Sequence, residues 1–101
     1  MILHITSHNF SQEVEQSAEP ILLDFWASWC MPCRRMGTVL ESFAASHPQA
    51  RIGKINVDEE PELAARFGVM SIPSLFVLHN GRVIRQAVGL QSAQQLEDLL
   101  S

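Results

Sequence analysis

The residues with the most chemical potential stand together in "FWASWCMPC", Phe25 to Cys33. Cys30 and Cys33 are three positions apart, Pro32 lies between them, and Met31 follows the first cysteine. Such a pair can clamp a metal, staple a loop or exchange electrons. Two thiolates are only half of a four-ligand zinc set, and His4, His8, His47 and His79 have no ligand spacing with the pair or with one another, so no metal is expected. A staple is weak too, since so short a loop constrains little of the unfolded chain and cytosolic disulfides are rare. Redox chemistry is what remains. If Cys30 lies at a helix start, Cys33 lies one turn on and on the same side, within reach for a disulfide to form and break. Pro32 then falls in the first turn, where its missing N–H has no helical partner to lose. Free backbone N–H groups and the positive end of the helix stabilise a thiolate at Cys30, the form that attacks a disulfide.

The elements that must hold this pair can be read from apolar periodicity. Ile2 to Ile5 reads as a short strand, and Ser7 to Ser17 as a helix with Phe10 and Val14 at helical spacing. Ile21 to Trp26, "ILLDFW", is the nearly continuous apolar run of a central strand covered on both faces, interrupted only by Asp24. From Cys33 onward Met36, Val39, Leu40, Phe43 and Ala44 define an amphipathic helix that ends before Pro48, and Arg51 to Asp58 reads as another strand. In "DEEPELAARFG" the acids and Pro61 mark a helix start and Gly68 its end, so the acidic run from Asp58 to Glu62 reads as a helix-start feature rather than a binding site. Ser74 to His79 and Arg82 to Val88 flank Asn80-Gly81, the strongest short hairpin signal, and Ser92 caps a last helix whose apolar face is Leu96, Leu99 and Leu100. The order βαβαβαββα predicts a single α/β domain over residues 1–101, a mixed sheet between helices, with Phe10, Phe25, Phe43, Phe67 and Phe76 in the core.

A net charge of −4 gives no reason to expect nucleic acid or an anionic membrane surface as a partner. No apolar stretch approaches the ~20 residues needed to cross a bilayer, and the amino-terminal "MILHITSHNF" has no secretory pattern, so a soluble, cytoplasmic protein is expected.

The ordered set "ILLDFWASWCMPC", "KINVD", "FGVMSIPSLFVLHNG" and "VG" resembles the thioredoxin family over essentially the whole chain. The resemblance implies the thioredoxin fold and a protein-disulfide reductase: Cys30 as the nucleophile that attacks a substrate disulfide, and Cys33 as the resolving cysteine that releases the reduced substrate. Cys30 is expected to be the exposed one. Asp24 matches the buried acid under the pair, with a raised pKa and a proton-relay role, and Lys54 matches the lysine beside it. Pro73 matches the proline whose preceding peptide bond is cis in this fold; that turn faces the cysteines and offers the backbone of Ile72 to an extended substrate. Trp29, Met31, Pro32, Ile72, Val88 and Gly89 then ring Cys30 as a small apolar docking surface, while Trp26 is as much a packing residue as a contact. The family further implies disulfide-containing protein substrates, a flavin-dependent thioredoxin-reductase-like electron donor, a monomer, and no cofactor of the protein's own.

Three positions depart from the family pattern. Met31 stands where glycine is usual, which keeps the backbone N–H but changes bulk, stiffness and desolvation, so a potential shifted toward more oxidising is expected. Thr38 replaces the usual helix proline, so a straighter helix is expected. Arg34 and Arg35 follow the pair directly, cations that favour a thiolate if coupled to it and are otherwise solvated. Two rival functions stay open at this level: an oxidant or isomerase on the same fold, against which Pro32 argues, and a non-catalytic binding module with incidental cysteines.

Overall fold

The run Ile21–Trp26 becomes β2, at the centre of a five-stranded sheet, in a computed structural model that describes residues 1–101. Around it the chain lays down β1 (Ile2–His4), a π-helical turn (Ser11–Glu15), α1 (Met31–Ser46), β3 (Arg51–Asn56) and α2 (Pro61–Arg66). Then come β4 (Ser74–His79), β5 (Arg82–Val88) and α3 (Ala93–Leu100). The spatial order is β1-β3-β2-β4-β5, with β1, β3 and β2 parallel and β4 and β5 antiparallel, which is the mixed sheet expected.

Alternation along β2 sorts its side chains onto two cores. Ile21, Leu23 and Phe25 pack with Ile5, Phe10, Val14, Ile55 and Phe76 on one face. Leu22 packs with Met36, Leu40 and Phe43 of α1 and Leu96 of α3 on the other. Asp24 shares the parity of Leu22 and so lies on the α1 side of the sheet, paired in register with Lys54 of β3 and Leu75 of β4.

Local chemistry explains where elements differ from expectation. The helix expected over Ser7 to Ser17 forms around a five-residue π-helical stretch, Ser11–Glu15: Thr6 O accepts the Phe10 N–H at 2.9 Å and Asn9 O the Glu13 N–H at 2.8 Å, four residues apart as in an α-helix, Ser11 O accepts the Gln16 N–H at 3.0 Å, five apart, and Asn9 Oδ1 reaches back to the Thr6 N–H at 2.8 Å. Phe10 and Val14 are buried as expected. Strand β3 ends at Asn56, two residues early, where Asn56 Oδ1 accepts the Asp58 N–H at 2.9 Å and bends the chain away. Phe67 is only partly buried, at the end of α2, where its ring lies 5.2 Å from those of Phe25 and Phe76. The hairpin has left-handed backbone at both turn positions, Asn80 (φ 54°) and Gly81 (φ 77°), the conformation its sequence favours. Ser92 caps α3 as expected, within a full capping box completed by Gln95.

Candidate active site

The redox pair sits where β2 hands the chain to α1. Cys30 is the N-cap of α1 in extended conformation, so its side chain, not a hydroxyl, meets the open helix end: Cys30 Sγ accepts the Cys33 N–H at 3.2 Å. Pro32 occupies the first turn without breaking a hydrogen bond. The two sulfurs are joined as a disulfide, with Cα atoms 5.2 Å apart. Arg34 is turned back to the incoming loop, its Nε donating to Ser28 O at 3.2 Å, so it tethers the loop to α1; Arg35 is exposed. Thr38 lies within an unbroken α1 of 16 residues and donates its hydroxyl to Arg34 O.

The expected contrast between an exposed Cys30 and a covered Cys33 is not found: they are 5% and 2% exposed. Ile72, Val57 and Trp26 pack against the small cluster that Ala27, Cys30 and Cys33 form, and so cover both sulfurs. Ile72 O lies 3.8 Å from Cys30 Sγ. In the disulfide that is a contact between a carbonyl oxygen and the sulfur. The Ile72–Pro73 bond is cis, as the resemblance implied, and the turn is fastened by Ser74 Oγ donating to Ser71 O. Pro73 itself is buried. The end of β5 closes on this turn, Gly89 N–H donating to Pro73 O at 2.8 Å with Gly89 in the left-handed region (φ 89°), which brings Val88 and Gly89 beside it.

Trp29, Met31 and Val88 are each more than half exposed, and Pro32 is exposed beside them. Trp29 is held in place by its indole Nε1 donating to Asp58 Oδ2 at 2.9 Å. In the sequence Asp58 is one of an acidic run that the start of α2 already explains, so nothing local marks it as the partner of Trp29. Met70, two residues before Ile72, is almost wholly exposed, and no periodicity in the sequence marks a loop methionine.

Asp24 is fully buried and neither carboxylate oxygen has a hydrogen-bond partner. Burial pushes its carboxyl up to about 7, against a smaller pull downward from the Lys54 charge. Lys54 does not bond to it directly: its Nζ lies 4.7 Å from the centroid of the Trp26 ring and close over Gly37 of α1, where a Cβ would come within 3.3 Å. Trp26, Cys33, Arg34, Gly37, Thr38, Glu41 and Lys54 line a cleft of about 260 Å³. A buried acid that titrates near neutrality, on the face of the sheet covered by the helix of Cys33, is equipped to hold or take a thiol proton. The histidines are scattered, His4 toward Glu59 and His47 toward Glu97, and no three His, Cys, Asp or Glu side chains group as metal ligands.

The thioredoxin family model matches residues 1–101. The chain belongs to the thioredoxin family. A thioredoxin of Alicyclobacillus acidocaldarius subsp. acidocaldarius is 47% identical over 98 residues, covering 96% of this chain and 92% of its own length. One of Streptomyces clavuligerus is 42% identical over 89 residues, covering 88% of this chain and 83% of its own length. One of Staphylococcus aureus is 41% identical over 100 residues, covering 98% and 94%. With the Cys30–Cys33 pair at disulfide distance, family membership makes the chain a dithiol–disulfide oxidoreductase of the protein-disulfide reductase class. The family works on disulfide-bearing proteins and draws on a reductase, and no helix of this chain is long and apolar enough to cross a membrane.

Proposed function

We propose that the chain acts as a single-domain, monomeric, cytoplasmic electron carrier in which each site residue has a distinct task. The Cys30 thiolate attacks one sulfur of a substrate disulfide; that S–S bond breaks, one substrate thiolate leaves, and a mixed disulfide forms. Cys33 passes its proton to ionised Asp24, and the resulting thiolate attacks Cys30 Sγ, which releases the second substrate thiolate and leaves the Cys30–Cys33 disulfide. A flavin-dependent reductase then returns two electrons to the pair, Asp24 gives its proton back to Cys33, and the two released substrate thiolates take their protons from water. Lys54 moderates the Asp24 charge, while Trp29, Met31, Pro32, Ile72, Pro73, Val88 and Gly89 form the docking surface: Ile72 through its backbone, Pro73 by shaping the turn, the others by exposed surface.

One observation carries this reading: the Cys30 sulfur caps α1 and accepts the Cys33 N–H at 3.2 Å, a donor that stabilises negative charge on the sulfur once the disulfide opens. The test is reduction of insulin disulfides, first with a chemical reductant and then with NADPH and a thioredoxin reductase. Wild type is expected to be active in both, and Cys30→Ser inactive in both. Activity that survives Cys30→Ser removes the proposed nucleophile; activity with the chemical reductant alone removes the proposed electron donor.

A further inference from the structure

The four methionines divide sharply between core and surface: Met36 is 0% exposed, whereas Met1, Met31 and Met70 are 70%, 64% and 97% exposed. Two of the exposed ones belong to the segments that converge on Cys30. Met31 follows it directly as the first residue of α1, and Met70 precedes by two residues Ile72, whose carbonyl oxygen lies 3.8 Å from Cys30 Sγ. When the pair is oxidised both cysteine sulfurs are bonded to each other and covered, so neither offers a thiolate. The thioethers of Met31 and Met70 are then the accessible sulfur nucleophiles of these two segments.

We propose that Met31 and Met70 are sites of oxidation by hydroperoxides, and that their sulfoxides weaken docking of protein disulfides without touching the redox pair. The thioether sulfur attacks the outer oxygen of the peroxide; an S–O bond forms and the O–O bond breaks. Sulfur is oxidised by two electrons and the peroxide is reduced, its hydroxyl proton passing to the departing oxygen, which leaves as water or an alcohol. The product places a polar, chiral group where a flexible apolar side chain stood. This consequence rests on the docking surface proposed above, in which the exposed Met31 lies between Trp29 and Pro32 in sequence; Met70 extends that surface on the Ile72 side. Met36 supplies an internal control, since it is buried with its Sδ accepting the Gln91 N–H at 3.4 Å.

The test treats the disulfide form with hydrogen peroxide, removes the peroxide, and maps the methionines by peptide mass spectrometry. Reduction of insulin and of glutathione disulfide is then compared with the untreated protein. The expected result is one added oxygen at Met70, Met31 and the similarly exposed Met1, fastest at Met70, and none at Met36; the Met31→Leu/Met70→Leu variant keeps Met1 and so separates its oxidation from that of the other two. KM for insulin should rise several-fold while turnover of glutathione disulfide stays unchanged. Met31→Leu/Met70→Leu, compared with its own untreated sample, should show no rise, and untreated Met31→Gln/Met70→Gln should reproduce it. If the Gln variant raises KM but peroxide leaves both methionines unoxidised, or oxidises them without raising KM, oxidation is overturned and the docking surface stands. If the Gln variant leaves KM unchanged, the docking surface is wrong and the proposal falls with it.

Discussion

Asp24 sits at a cost: a carboxyl with no hydrogen-bond partner in a fully buried place on the central strand. Its pKa is raised from 3.8 to about 7 by burial, so between those values the native state holds a proton that the unfolded chain has released. Folding is therefore disfavoured increasingly as pH rises from about 4 to 7, with the penalty complete above 7; at about 1.4 kcal/mol per unit it reaches at most about 4 kcal/mol. Asp24→Asn removes the titration. Urea unfolding should show the variant gaining on wild type as pH rises from 4 to 8, by up to about 4 kcal/mol, and a difference that stays constant across that range would rule out the shifted carboxyl. Met31 belongs to the same scale. Its side chain projects to solvent, 64% exposed, so desolvation of the disulfide is not its means of action. What remains is backbone: methionine is a better helix former than glycine, and an ordered first turn keeps the Cys33 N–H on Cys30 Sγ, favouring the thiolate and with it the reduced pair. Met31→Gly should move the potential toward more reducing values in glutathione equilibration; indistinguishable potentials would contradict this account.

Among the elements, β3 shows how closely the sheet must pack to hold the site. Gly53 lies between β1 and β2, in register with Leu3 and Leu23, and a Cβ there would meet Ile5 Cγ1 at 2.7 Å and Leu23 Cδ2 at 3.1 Å. Gly53→Ala should destabilise by about 1–3 kcal/mol in chemical denaturation, since the side chains it strikes are themselves buried; an unchanged midpoint would mean the strands part freely. Much at this scale was legible. "ILLDFW" had to be covered on both faces, Asn80-Gly81 had to turn, and Ser92 had to cap, because each rests on local chemistry that tertiary packing does not override. The first helix was legible, but its π-helical winding was not. Phe10 and Val14 carry a helical spacing and are buried, but one apolar pair cannot distinguish a four-residue hydrogen-bond step from a five-residue one such as Gln16 N–H to Ser11 O.

At the scale of the whole molecule, the site exists only because the topology folds distant segments together. Antiparallel β4 beside β2 brings Ile72 to Cys30 across 42 positions of sequence, and the end of β5 then closes on Pro73. The cysteines and Asp24 could be picked out from their own neighbourhoods. Ile72, Pro73, Val88 and Gly89 were found only through likeness to a family, since nothing in their local sequence points to a sulfur. The near-equal burial of Cys30 and Cys33 was invisible for the same reason: Ile72 arrives from another part of the chain to cover them. The central claim, that disulfides are reduced by sequential exchange through this pair, is tested most directly with Cys33→Ser and a disulfide-bonded protein substrate, quenched in acid and resolved on a non-reducing gel. The expected result is a mixed disulfide that accumulates, is cleaved by dithiothreitol and maps to Cys30. Release of free reduced substrate at the wild-type rate, or no covalent complex at all, would contradict it.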